Sequence, residues 1–136
     1  MLEPSTEHDL IARRIVDSAF AVYSTLGPGL LESVYEECLA CELEARNLAV
    51  QRQVMLPIFY RDVRIDTGFR MDMVIGGLVV VEIKATERNL PIHEAQLLTY
   101  LKLSGHRIGL LINFNVILIR HGIRRLINSP TSCHAH

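Results

Sequence analysis

The segment Leu78-Val-Val-Val-Glu82-Ile-Lys84 constrains the fold more than any other stretch of the chain. Its apolar half reads as a buried strand, and that strand ends abruptly in two charges. Side chains alternate along a strand, so Glu82 and Lys84 point to one face and Ile83 to the other. Two charges at the end of a buried strand are costly unless they are paired or held on a metal ion. The chain therefore needs a packed core and, at one end of this strand, a setting that accommodates charge.

The rest of the sequence can supply that core. Of 136 residues, 49% are hydrophobic and 21% charged, enough for one packed domain and too apolar for a disordered chain. Ser5 and Thr6 open a first helix in which Leu10, Ile11, Ile15, Ala19, Val22, Tyr23 and Leu26 recur at helical spacing until Gly27-Pro28-Gly29 stops it. A second helix reads from Leu30 to Arg46. Val54–Tyr60 is a strand whose Pro57 marks an edge or a bulge. Arg61-Asp62 is a turn, Val63–Ile65 continues or restarts the strand, and Phe69–Ile75 and Leu78–Lys84 are two more strands, joined at Gly76-Gly77. Asn89 and Pro91 start a third helix that Gly105 ends after Ser104. Ile108–Asn113, Val116–Arg120 and Ile123–Ile127 read as closing strands. The order α-α-β-β-β-α-β-β(-β) is a mixed α/β single domain over residues 1–128, followed by a flexible tail, 129–136.

Charge and cysteine content exclude several classes of protein. A net charge of −1 rules out a generally basic, histone-like binder, so any nucleic-acid surface must be local. No apolar run approaches the ~18 residues of a membrane span. Three cysteines without a secretory signal do not make a disulfide framework. The expectation is a cytoplasmic protein with no membrane partner.

Asp72 adds a second carboxylate, provided the hairpin has the right parity. A loop of Gly76-Gly77 alone puts Asp72 and Glu82 on opposite faces. A loop of Gly76-Gly77-Leu78 puts Asp72 directly across from Glu82, and a bulge restores the same parity. Asp72, Val74, Val80, Glu82 and Lys84 then share one face, and Met71, Met73, Ile75, Val79, Val81 and Ile83 the other. Two carboxylates beside an ammonium suit metal-assisted phosphodiester hydrolysis. The carboxylates hold Mg²⁺, a hard ion that takes oxygen ligands and keeps several waters, while the lysine orients a water or offsets transition-state charge. The plainer reading is a structural Glu82–Lys84 pair with an unrelated Asp72.

Two further pieces bear on that choice. Glu32 and Tyr35 lie about one turn apart near the start of the second helix, and Gln96 and Tyr100 share a face of the third at i and i+4. Taken singly, the tyrosines read as core aromatics with a wet hydroxyl and Glu32 as a first-turn carboxylate favoured by the helix dipole. In order along the chain, however, Gly29-x-x-Glu32-x-x-Tyr35, Asp72, Glu82-x-Lys84 and Gln96-x-x-x-Tyr100 resemble the GxxExxY family of the PD-(D/E)XK nuclease superfamily. The resemblance runs from Leu10 to Asn128, and Gly109–Phe114 is similar to that family's closing strand.

The resemblance implies a restriction-endonuclease-like α/β core, a central mixed β-sheet flanked by helices. It also implies a nuclease that uses Mg²⁺ or Mn²⁺ to hydrolyse phosphodiester bonds in DNA. Glu32, Asp72 and Glu82 would be the metal ligands, with the Ile83 carbonyl an extra one. Lys84 would stand beside the ion, and Gln96 and Tyr100 would match the Gln-x-x-x-Tyr motif of RecB-type members. Met71 stands where the superfamily's name has a proline. The competing reading is a non-catalytic nucleic-acid-binding or protein-interaction module on the same fold.

Arg52, Arg70, His93 and Arg120 are the candidates for contacting phosphates, although arginine clusters on a near-neutral chain usually form a solvated face. Cys38 and Cys41 read as helix cysteines, since the remaining zinc candidates, Cys133, His134 and His136, lie in the tail. With no separate recognition domain, a homodimer would double the contact surface.

Overall fold

Helix α1 (Thr6–Leu26) begins at Ser5, whose hydroxyl accepts from the amide of His8, a capping interaction that satisfies one of the first-turn donors. Helix α2 spans Glu32–Ala45, beginning two residues later than its apolar pattern suggests, because Leu30 and Leu31 complete the turn. Strands β1 (Val50–Tyr60), β2 (Val63–Ile75) and β3 (Val79–Lys84) come next. Helix α3 (Pro91–Ser104) and strands β4 (Ile108–Asn113) and β5 (Ile123–Ile127) close the chain. The computed structural model describes Ser5–Ser129, so the expected tail beyond Ser129, with Cys133, His134 and His136, lies outside the described residues.

The strands form one mixed sheet in the order β1-β2-β3-β4-β5. Only β3 and β4 run parallel, Val79 opposite Ile108 through Lys84 opposite Asn113, and α3 is the crossover that joins them. Helices α1 and α2 cover one face, where Ile15, Tyr35, Leu39 and Leu43 pack on Met73, Ile75, Val79, Val81 and Ile83. Helix α3 covers the other face, with Leu97, Tyr100 and Leu101 against Met71, Val74, Val80 and Leu111. Both faces of β3 are thus buried, as its apolar run requires.

The β2–β3 turn takes the longer of the two forms. Ile75 lies opposite Val79 and Met73 opposite Val81, so Gly76-Gly77-Leu78 is the loop. Gly76 has φ +60°, and a Cβ there would lie 2.8 Å from Ile11 Cδ1. No larger side chain would suit that position without strain.

Two expectations are corrected. Met71 lies on the α3 face, away from Met73 and Ile75. The reason is local: the β2–β3 ladder ends at Met73, the Asp72 amide bonds a side chain instead of a strand carbonyl, and in β1 Gln53 turns to φ +51°. The alternation of β2 resets at Asp72. Secondly, Val116–Arg120 is not a strand but an irregular bend leading into a 3₁₀ turn, Ile119–Gly122. Both edges of β4 are already paired, with β3 and β5, and the Tyr23 hydroxyl holds the carbonyls of Val116 and Ile117.

Strands β1 and β2 are much longer than β3, and they pair with each other as far as Tyr60 opposite Val63. From Met71 to Val63 β2 pairs only with β1, an arm of about 27 Å at the usual strand rise, and α3 covers its base, where Leu56 and Met71 join the buried cluster with Leu97 and Tyr100 and Phe69 packs on Tyr100. Pro57 sits where the register shifts, between Leu56 and Ile58, so β1 is both an edge strand and a bulged one. Phe59, Tyr60 and Val63 at the tip are exposed.

Candidate functional site

The site is the fork at which β2 leaves β3. The Asp72 amide donates to Glu82 Oε2 at 2.8 Å, and the Ile83 amide donates to Asp72 Oδ2 at 2.8 Å. Each carboxylate is thereby fixed by a main-chain donor of the opposite strand. Such side chain–backbone bonds replace the ladder that parts at this point. The second oxygen of each carboxylate accepts no hydrogen bond among the described residues, and neither is sealed from solvent. The register that aligns the pair is set by the loop Gly76-Gly77-Leu78.

Burial dominates the electrostatics. It pushes the Asp72 carboxyl up to about 6, with the charges of Glu36 and Glu32 adding and the Ile83 amide and Lys84 opposing. Burial, and then the charge of Asp72, pushes Glu82 up to about 8. These carboxyls prefer to share a proton or to acquire a cation. Tyr100 is raised to about 12, first by burial and then by the charges of Glu82 and Asp72, which places its phenol within the field of the pair.

Lys84 follows Glu82 on the same face of β3. Among the described residues it forms no ion pair with either carboxylate, so the structural Glu82–Lys84 pair is not what forms. Its Nζ instead reaches Gln96 Oε1 at a long 3.5 Å. Behind Lys84, the buried Asn113 fastens the loop between β3 and α3. Its amide donates to Thr86 O and Asn89 Oδ1, and its oxygen accepts from the amides of Thr86 and Asn115. Tyr100 is buried against Phe69, ring centroids 5.3 Å apart.

Helix α2 brings two glutamates toward the fork. Glu32 is exposed in the first turn, and its charge adds to the rise of both Asp72 and Glu82. Among the described residues no three acidic, histidine or cysteine side chains are grouped closely enough to hold an ion without movement. Glu36, one turn on, is buried and acts on Asp72 more strongly than Glu32 does. Its carboxylate accepts from Arg52 Nε and Gln53 Nε2, each at 3.1 Å. Sequence reasoning stopped at Glu32; the signal it passed over was a second glutamate at i+4 on the same helical face.

The remaining candidates scatter. Arg52 is engaged by Glu36 and Glu37. Arg70 lies opposite Met55, both exposed. Arg120 is exposed in the 3₁₀ turn, and His93 is half-buried beside Gln96 on α3. Tyr35 is fully buried, stacked on Phe114 with centroids 4.5 Å apart, and its hydroxyl donates to Gly27 O at 2.6 Å and accepts from the Leu30 amide. It is a framework residue that holds the α1–α2 turn, and its hydroxyl is not wet.

The chemistry these groups offer is narrow. Two adjacent carboxylates with open oxygens fit a hard divalent ion that keeps several waters, for which one or two protein carboxylates suffice. Among the described residues the donor set holds no thiolate or imidazole beside the pair, so it suits a hard ion better than softer metals.

Comparison with known proteins gives one assignment. Residues 9–126 match a family model described as the PD-(D/E)XK nuclease superfamily. No curated protein and no solved structure matches significantly.

Proposed function

Because the chain belongs to the PD-(D/E)XK nuclease superfamily, we propose that it is a divalent-metal-dependent nuclease that hydrolyses phosphodiester bonds in DNA, of the GxxExxY branch on the strength of Gly29, Glu32 and Tyr35. The observation that carries this reading is the interlocked pair Asp72 and Glu82, each with one oxygen fixed and one open, beside Lys84.

Asp72, Glu82 and the Ile83 carbonyl would hold Mg²⁺ or Mn²⁺, with Glu32 adding charge from α2. When bound, the ion polarises the phosphoryl group and lowers the pKa of a water. Lys84 aligns that water through its ammonium donors and offsets charge developing on the phosphate. Gln96 accepts from Lys84 and limits the directions its flexible stem can take. Tyr100 presents a phenol that stays protonated at neutral pH and serves as a donor toward the same region. His93, Arg70 and Arg120 contact phosphates flanking the cut, whereas Arg52 neutralises Glu36 and keeps α2 against the fork. A homodimer would bring two such surfaces together; a 15 kDa species at micromolar concentration by light scattering would overturn that part.

The test is cleavage of linear, nicked, single-stranded and branched DNA with Mg²⁺, Mn²⁺ or EDTA. Metal-dependent cutting that Glu82→Ala and Lys84→Ala both abolish is the expected result. Absence of cutting together with absence of Mn²⁺ binding by calorimetry would overturn it in favour of a non-catalytic binding module.

A further inference from the structure

A cleft of about 520 Å³ opens outward from Lys84 between β2 and α3. Phe69 forms the strand side, while Ile92, His93, Gln96 and Thr99 line the helix side. Phe69 leaves 39% of its surface open and Ile92 65%, so apolar side chains face solvent from both walls. The Phe69 ring is steadied by its tilted contact with Tyr100. Polar groups converge between these walls. His93 lines the cleft, and its Nδ1, closed off from solvent in the unliganded protein, is the one buried side-chain nitrogen or oxygen among the described residues without a partner, a condition folded proteins normally avoid and one that a turn of the ring toward a bound group would relieve. Gln96 gives its oxygen to Lys84 and keeps its amide donors for another group.

A slot with apolar walls, a few mixed donors and acceptors and an ammonium at its inner end suits a planar heterocycle that carries a phosphate. The volume lies in the range of small-molecule pockets and is far too small for a paired duplex. Resting on the nuclease reading above, we propose that this cleft receives one unstacked nucleotide of the strand being cut, its base between Phe69 and Ile92 and its edge on His93 and Gln96. The preferred substrate is therefore a strand with an unpaired nucleotide next to the scissile phosphate. A continuous duplex would first have to extrude that base from its stack.

The test uses the full chain with Ca²⁺ in place of Mg²⁺ and a short single-stranded oligonucleotide that carries 2-aminopurine at successive positions. The fluorescence of 2-aminopurine rises when it leaves a base stack. The expected result is a rise at one position only. Phe69→Ala and Ile92→Ala abolish that rise and weaken binding about tenfold, in keeping with base stacking on a side chain. Leu103→Ala, an exposed position on α3 outside the cleft, behaves as wild type. Ile92 sits on the helix surface, so its variant keeps the test valid if Phe69→Ala misfolds. A response equal at all positions, or wild-type binding by both variants, overturns the cleft assignment while metal-dependent cutting leaves the nuclease reading standing. Failure to bind or cut any oligonucleotide overturns both.

Discussion

Tyr35 closes the turn between two helices through one hydroxyl, and Glu82 anchors a strand junction through one carboxylate oxygen. They make different predictions. In Tyr35→Phe the stack on Phe114 survives but Gly27 O and the Leu30 amide lose their partner, so urea denaturation should show a loss of about 1 kcal/mol, with metal binding unchanged. For the carboxylates the expectation concerns pH. Asp72 and Glu82 titrate higher in the folded state than as free side chains, near 6 and 8. Their contribution is therefore fully present below about pH 4 and is lost as pH rises through those values. The metal-free protein should lose stability between about pH 5 and 8, with a slope of at most about 1.4 kcal/mol per pH unit for each proton released. Urea melts in EDTA at several pH values check this. Glu82→Gln should flatten the slope, and Mg²⁺ should offset the loss. Strand parity narrowed Asp72 and Glu82 to two arrangements in the sequence, and the register of Ile75 opposite Val79 decides for the aligned one. Glu36 was not legible, since a mid-helix glutamate reads as solvated until Arg52 and Gln53 are seen to enclose it.

Among the elements, α1 and α3 follow their periodicity closely, because Ser5 and Gly27 mark the ends of one and Pro91 and Gly105 those of the other. What misled the pattern was context: Val116–Arg120 has strand composition but no free strand edge beside it, and the reset at Asp72 has no residue that announces it. Gly109 shows an element fixed by its neighbour. It lies in β4 beneath α3, and a Cβ there would fall 2.9 Å from Leu97 Cδ1. Gly109→Val should lift α3 from the sheet at a cost of about 1–3 kcal/mol, measured by thermal or urea unfolding. Since α3 carries Gln96 and Tyr100, cleavage should fall in the same variant even at temperatures where it remains folded.

At the scale of the whole molecule, a net charge of −1 leaves only a local cationic surface. Contacts from Lys84, Arg70, His93 and Arg120 would neutralise few phosphates. The logarithm of the affinity for DNA should therefore fall with the logarithm of salt concentration at a slope no steeper than about −4. Fluorescence anisotropy across a salt series measures it, and a much steeper slope would mean a broader basic surface than these residues provide.

The hairpin arm has a consequence for how the chain breathes. Beyond Leu56 and Phe69, where α3 no longer covers it, a two-stranded hairpin with an exposed tip is marginally stable in water, whereas β3 and β4 lie in the core. Amide hydrogen exchange should divide β2 within a few residues: fast from Val63 toward Phe69, slow from Met73 to Ile75. Asp72, between the buried Met71 and Met73, stands just inside that boundary. One carboxylate of the pair is thus carried by a strand that continues into a segment that opens often and the other by a strand that opens only with the whole protein, so an opening that spreads down the arm reaches Asp72 before it reaches Glu82.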